Sequence, residues 1–220
     1  MSIASLSDVF SEQDFLVSKE VELGKGEIFL FEGDKAEKQC YLLQSGVLEV
    51  RLVSGTGHET VLYHLQAGDL VGELPLFGLD MRTATVAAIS PVKLLEISEE
   101  VFKTAMGEPD FCKKVIAHFL KRFLKTHDVV CRLSQPNIGM KLCHYFKTLV
   151  EASGEEMKAD KVFVKTPSHA AMAKLLSCQR ESVTREIKKL VQAGIISPVQ
   201  SGGYMLHIPE VDLYLGGLLE

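Results

Sequence analysis

Between residues 20 and 100, apolar positions come in short runs or alternate with polar ones. The segments are VELGKGEIFLFEGD, CYLLQSGVLEVRLV, ETVLYHLQAGDLVGE and TATVAAISPVKLLEIS. Turn-forming residues separate them at Gly24, Gly26, Gly33, Gly46, Gly57, Gly68 and Pro91. Short strands at even spacing predict an antiparallel sandwich or barrel. A helix would not tolerate so many glycines.

The period changes after Pro109. Cys112, Ile116, Phe119, Phe123, Thr126, Val130 and Leu133 are spaced alternately by four and three. This is an a/d seam, which predicts a long helix that pairs with a second copy of itself or docks on the strand-rich region. Pro136 follows the seam and predicts a helix end or hinge near Asn137, Ile138 and Gly139. Beyond it come a helical stretch, IGMKLCHYFKTLVEA, a polar loop, SGEEMKADK, and a short strand, VFVKT. Two closely spaced helices, SHAAMAKLL and QRESVTREIKKLVQAG, then lead into an apolar hairpin, IISPVQSGGYMLHI. Helix, tight turn, helix and hairpin is the order of a winged helix-turn-helix.

Composition narrows the class. The chain has 220 residues, 46% hydrophobic and 24% charged, as expected of a soluble globular protein. No apolar run reaches the length of a membrane span. The N-terminus, MSIASLSDVFSEQDF, lacks the basic-then-apolar pattern of a secretion signal, so a cytoplasmic location is expected. The five cysteines, Cys40, Cys112, Cys131, Cys143 and Cys178, are scattered, which suits reduced structural thiols and predicts no metal site. From residue 136 onward there are 10 Lys and Arg against 9 Asp and Glu; of the totals 24 and 29, this leaves 14 against 20 before it. The second part is therefore +1 and the first −6. A nucleic-acid surface, if present, belongs in the second part as a local patch.

Two stretches carry candidate chemistry. In GELPLFGLDMRTATV, Glu73 and Arg82 flank a mostly apolar turn. They either pair with each other or jointly hold a ligand that has both hydroxyls and an anion. A carboxylate accepts from hydroxyls, and a guanidinium donates two bonds to adjacent phosphate oxygens. Backbone donors at a short helix starting near Leu74 and Pro75 favour an anion as well. In the second of the close helices, Gln179, Arg180, Glu181, Thr184, Arg185 and Lys188 fall on the first turns and outward face. Ala173, Leu176, Val183, Ile187 and Leu190 form the apolar face of the helix pair. Arginine reads a guanine edge and glutamate accepts from a cytosine amine. Ser168, His169, Ser182, Lys188 and Lys189 would face phosphates, with Ser168 also an N-cap. The plainer alternative for the helix is a solvated face with a Glu181–Arg185 ion pair. No nucleophile–base pair, carboxylate pair or metal cluster suggests catalysis.

The run Cys178-Gln179-Arg180-Glu181-Ser182-Val183-Thr184-Arg185 resembles the recognition-helix motif of the cyclic AMP receptor protein (Crp/Fnr) family of bacterial transcription regulators. Gly72-Glu73-Leu74 followed by Arg82-Thr83-Ala84 is similar to the family's cyclic-nucleotide signature. The resemblance spans nearly the whole chain and implies an α+β fold. Residues 1–107 would be an N-terminal antiparallel, jelly-roll-like β-roll that binds cyclic nucleotide. Residues 108–136 would be a long dimerisation helix, and 137–220 a winged helix-turn-helix. It implies that Glu73 holds a ribose hydroxyl, that Arg82 and Thr83 hold a cyclic phosphate, and that Gly72, Leu74 and Ala84 complete the turn. Thr126 would contact the base from the dimer helix.

The implied protein is a homodimer with no cofactor. Its effector would be cyclic AMP, its partners a TGTGA-type palindrome in double-stranded DNA and RNA polymerase. Some residues depart from the family pattern. His127 stands where serine is frequent, Ser177 where glycine is common, and His169 and Ala170 where longer polar residues occur. His127 keeps open another effector, such as cyclic GMP or a cyclic dinucleotide, or none.

Overall fold

The structure, a computed structural model, describes residues 19–57, 59–153, 160–200 and 202–216. The segment MSIASLSDVFSEQDF and most of the loop SGEEMKADK lie outside the described residues. The chain divides into two compact units, residues 1–127 and 128–220.

The first unit contains two four-stranded antiparallel sheets. One has the order β1 (Glu20–Leu23), β8 (Val92–Ser98), β3 (Gln39–Ser45), β6 (Leu70–Val71). The other runs β2 (Ile28–Leu30), β7 (Thr85–Ala88), β4 (Leu48–Val53), β5 (Glu59–Leu65). The predicted strand segments form these pairs because their apolar residues supply inward faces: Leu43, Leu48, Val50, Leu65, Val86 and Leu94 meet in one core cluster.

Helix α1 (Glu99–Ala105) follows β8 directly, a short helix that the alternating pattern does not reveal. Its start is nevertheless encoded: the Ser98 side chain accepts from the Val101 N–H, and Glu99 and Glu100 fill the first turn.

Helix α2 (Pro109–Leu133) begins in this unit and packs Phe111 and Val115 under the roll, together with Cys40, Leu95, Ile97 and Phe102. The predicted seam is only partly realised. Ile116, Phe123 and Val130 are exposed, but Phe119 turns inward, its ring 5.4 Å from that of Phe77. The Cys112 thiol donates to the Met106 carbonyl. Leu120 and Leu124 are exposed in their place. The apolar outer stripe of α2 is therefore Ile116, Leu120, Phe123, Leu124 and Val130. One helix carries two apolar faces here, and a heptad count alone mixes them.

The last turn of α2 belongs to the second unit. There Asp128 accepts from Arg132 at 3.0 Å and from the Thr148 hydroxyl at 2.9 Å. Arg132 lies 5.4 Å over the ring of Tyr145. Helix α3 (Ile138–Ser153) then leads to β9 (Lys161–Val164), α4 (His169–Leu175), α5 (Arg180–Gln192), β10 (Ile196–Pro198) and β11 (Tyr204–His207). The three strands form one antiparallel sheet in the order β10-β11-β9. A closing helix, α6 (Ile208–Leu215), is a further element the pattern did not reveal. Leu142, Phe146, Met172, Leu176, Val183, Ile187, Leu206 and Val211 share the unit's core. Among the described residues, no helix is long and apolar enough to cross a membrane.

Candidate ligand and DNA-binding sites

The first site lies in the roll. After β6 the backbone turns at Gly72, whose φ of +69° is left-handed. A Cβ there would come within 2.8 Å of the Arg82 guanidinium, so both the turn and its neighbour demand glycine. A 3-10 turn (Leu74–Phe77) follows, with Pro75 in its first turn and no side-chain cap on its leading N–H groups. The predicted helix start near Leu74 is thus present as one short turn.

Glu73 and Arg82 do not pair. Glu73, only 1% exposed, is bonded by Arg122 of α2, with Nη1 2.6 Å from Oε1. The Arg122 guanidinium also donates to the Leu70 carbonyl and lies 5.8 Å over the Tyr63 ring. Arg82 donates to the Gly72 carbonyl at 2.9 Å. The Glu73–Arg82 pairing left open by the sequence is replaced by two separate contacts, and Arg82 keeps the rest of its fork. Arg122 was missed from sequence because a charged residue flanked by Lys121 and Lys125 reads as helix surface.

Both residues line one cavity, with about 450 Å³ of empty space including its mouth. Leu30, Val50, Tyr63 and Val71 give it apolar walls, while Glu73, Arg82, Thr83 and Arg122 supply its polar groups. Gly72, Leu74 and Ala84 also line it. Such a mixture, mostly apolar with a few converging polar groups, is typical of small-molecule sites. The Nε of Arg122 is buried without a hydrogen-bond partner. Burial raises the Tyr63 phenol above its ordinary pKa, opposed by the Arg122 charge, so Tyr63 stays a neutral donor. Thr126 is half-buried and His127 exposed, its ring 6.4 Å from Phe123. Neither lines this cavity.

Beside the cavity, His118 on α2 faces Asp69, with Nδ1 3.5 Å from Oδ1. Burial first, then the Arg122 charge, lowers the His118 pKa to about 4, with Asp69 opposing and Lys121 and Lys125 adding to the drop. His118 is thus a neutral ring at ordinary pH.

The second site is the helix pair of the second unit. Ser168 caps α4 by accepting from the Ala171 N–H. Val183, Ile187 and Leu190 bury one face of α5, and Gln179, Arg180, Glu181, Arg185 and Lys188 are exposed on the other. Arg180, Glu181, Thr184, Arg185 and Lys188 line one open surface. Arg185 approaches Ser182 at 3.4 Å and Glu186 at 3.9 Å rather than pairing with Glu181. Glu181 and Arg180 are left pointing outward, as base reading requires. Ser177, in the turn between the helices, adopts φ +50°. It takes the left-handed conformation for which glycine is usual, not the right-handed one.

His169 is not held out towards solvent. Its Nδ1 lies 2.9 Å from the Thr184 hydroxyl and its Nε2 3.3 Å from the Tyr204 hydroxyl on β11. Tyr204, absent from the sequence-level set, is seated by a stack on Phe146 at 5.8 Å.

Known proteins match both units. The model of the cyclic nucleotide-binding domain matches residues 20–108, and that of the Crp-like helix-turn-helix domain matches residues 140–212. The chain belongs to the Crp/Fnr family. It is a DNA-binding transcription regulator with a cyclic-nucleotide-binding domain. A relative in Escherichia coli O6:H1, the cAMP-activated global transcriptional regulator CRP, is 26% identical over 170 residues, covering 76% of this chain and 80% of that protein. The anaerobic regulatory protein of Bacillus subtilis is 28% identical over 189 residues, covering 81% and 76%. Among solved structures, the c-di-GMP responsive global regulator CLP of Xanthomonas campestris has the same fold, with a TM-score of 0.70. It is 21% identical, covering 92% of this chain and 97% of that one. Among the described residues, no group of three or more His, Cys, Asp or Glu could hold a metal ion.

Proposed function

We propose that this chain is a homodimeric regulator whose DNA binding is switched on by cyclic AMP in the roll cavity. The observation that carries this reading is the Arg122–Glu73 contact inside that cavity. In the reading, Glu73 accepts a ribose hydroxyl, for which a carboxylate with two oxygens keeps lone pairs beyond the bond to Arg122. Arg82 and Thr83 take the cyclic phosphate, with Gly72, Leu74 and Ala84 shaping the turn. A ligand on Glu73 then acts directly on a residue of α2. Thr126 and His127, four and five residues beyond Arg122 on α2, would meet the base once the helix has shifted.

The second copy would pair along Ile116, Leu120, Phe123, Leu124 and Val130, burying the apolar stripe. Two copies of α5 would then enter successive major grooves about 34 Å apart. Arg180, Glu181 and Arg185 would read a TGTGA-type half-site. Gln179, Ser182, Thr184 and Lys188 would line the groove, with Ser168 near its phosphates. RNA polymerase is the expected further partner, in the cytoplasm.

Calorimetry with cyclic AMP, cyclic GMP and cyclic di-GMP tests the ligand. Binding of cyclic AMP in preference to the other two supports the reading. Preference for the dinucleotide, the ligand class named for the Xanthomonas relative, would replace the effector and keep the architecture.

A further inference from the structure

The recognition helix meets the rest of its unit through one polar chain as well as its apolar face. The Thr184 hydroxyl lies 3.0 Å from the carbonyl of Arg180, one turn back on α5. The same oxygen lies 2.9 Å from His169 Nδ1 on α4. His169 Nε2 lies 3.3 Å from the Tyr204 hydroxyl on the wing strand β11. Three separate elements, α4, α5 and β11, thus meet on one imidazole.

Donor counting fixes what this does to Thr184. A threonine hydroxyl has a single proton. A backbone carbonyl can only accept, so that proton is given to Arg180 when Nδ1 carries a hydrogen and donates to the Thr184 oxygen. Nε2 then accepts from Tyr204. In the other tautomer Thr184 donates to Nδ1, and Nε2 donates to Tyr204. Under either arrangement the only proton of the Thr184 hydroxyl stays inside the protein. Yet Thr184 lines the open surface between Arg180, Glu181, Arg185 and Lys188. With its oxygen held between His169 and the Arg180 carbonyl, the hydroxyl has no proton to give a partner, and the γ-methyl is the side chain's other group.

We propose that His169 is a positioning residue that holds the Thr184 hydroxyl inward, so that the recognition helix presents Thr184 as a methyl group and selects thymine through its 5-methyl. This rests on the DNA-reading assignment of α5. In the major groove thymine alone offers a methyl group, and small apolar side-chain groups pack against it. His169 acts through Thr184 and Tyr204 rather than by touching phosphate.

The test uses the full-length protein with saturating cyclic AMP and a duplex selected from a random library. Each thymine of the half-site is replaced in turn by deoxyuridine, which removes only the 5-methyl. The wild type should lose about three- to fivefold in affinity at one position per half-site, the scale of one methyl contact. That loss should persist in Thr184→Val, which keeps a methyl and has no hydroxyl. It should vanish in Thr184→Ser, which keeps the hydroxyl and has no methyl. His169→Ala should erode the discrimination, and His169→Asn, with an amide near the Nδ1 position, should restore part of it. The slope of affinity against salt should be the same in wild type and His169→Ala, because no phosphate contact is removed.

A deoxyuridine effect retained by Thr184→Ser and lost by Thr184→Val would overturn the inference, since the hydroxyl would then be the reading group. So would a shallower salt slope in His169→Ala, which would make His169 a phosphate ligand. Binding with no deoxyuridine effect at any position also overturns it and leaves α5 as the DNA-reading helix. Failure of the wild type to select any duplex with cyclic AMP, and equally with cyclic GMP or cyclic di-GMP in its place, would instead remove the DNA-reading assignment itself.

Discussion

Arg122 Nη1 lies 2.6 Å from Glu73 Oε1, and both groups are almost wholly withdrawn from solvent. The carboxylate placed by the turn after β6 is therefore already held by the long helix. Taking one member of a buried ion pair away strands the other charge in a poorly solvating site. Arg122→Met is expected to lower stability by about 3–5 kcal/mol, read from urea unfolding. The double variant Arg122→Met/Glu73→Gln should lose less than the sum of its parts, because no charge is left stranded. Additive losses would show that the two groups do not interact.

His118 sets a pH dependence. Its folded-state pKa, about 4, lies below the ordinary 6.5. Between these values the unfolded chain binds more protons, so stability rises with pH across that window. The contribution is complete above about pH 6.5 and lost as the pH falls towards 4. At about 1.4 kcal/mol per pH unit, it is on the order of 3 kcal/mol at most. Replacing the ring by an uncharged side chain, His118→Gln, should flatten the stability profile in this range. An equally steep profile in the variant would assign the dependence to other groups.

Gly72 joins a left-handed backbone to the Arg82 guanidinium. Gly72→Ala forces a side chain into φ +69° and against the Arg82 guanidinium at 2.8 Å. A stability loss of about 1–2 kcal/mol is expected from the backbone alone, together with weaker nucleotide binding because Arg82 is displaced. Arg82→Leu removes the fork and, among the described contacts, one part-buried side-chain hydrogen bond, from the charged guanidinium to the Gly72 carbonyl. It should leave the melting temperature nearly unchanged and weaken cyclic AMP binding by roughly 10- to 100-fold. Normal binding by Arg82→Leu would refute the phosphate assignment.

Phe123 is 65% exposed on α2, with Ile116 at 59% and Leu120 at 57% on the same stripe. A charge in the middle of a helix–helix seam is costly. Phe123→Asp should therefore shift the protein from dimer to monomer in sedimentation velocity, with the roll still folded. A wild-type monomer at micromolar concentration, or an unaltered dimer in the variant, would contradict pairing through α2.

Much of this was legible because the chain alternates cleanly. Glycine-punctuated runs gave the strands of the roll, and apolar spacing gave α2, α3, α4 and α5. What stayed hidden depends on partners distant in sequence. Arg122 reads as a surface charge until the fold brings it to Glu73, 49 residues earlier. Phe119 fits the seam period as well as Ile116 does, and only the position of Phe77 decides which face it takes. His169 reads as an outward polar residue until Thr184 and Tyr204 are placed around it. Helices α1 and α6 run straight on from β8 at Ser98 and from β11 at His207, with no turn residue between to mark a change of period, although Ser98 and its two glutamates mark the start of α1. Glu73 and Arg82 line the roll cavity and Arg180 and Glu181 the open surface of α5, placements that two short local motifs were enough to suggest.

The most direct measurement is operator affinity by fluorescence anisotropy, with and without saturating cyclic AMP, at fixed salt. A ligand shifts DNA binding only by its preference for the DNA-competent state. A gain of about tenfold or more, equivalent to at least about 1.4 kcal/mol of coupling, is expected for the wild type and should be absent in Arg82→Leu. Equal affinity with and without the nucleotide would contradict gating through the roll.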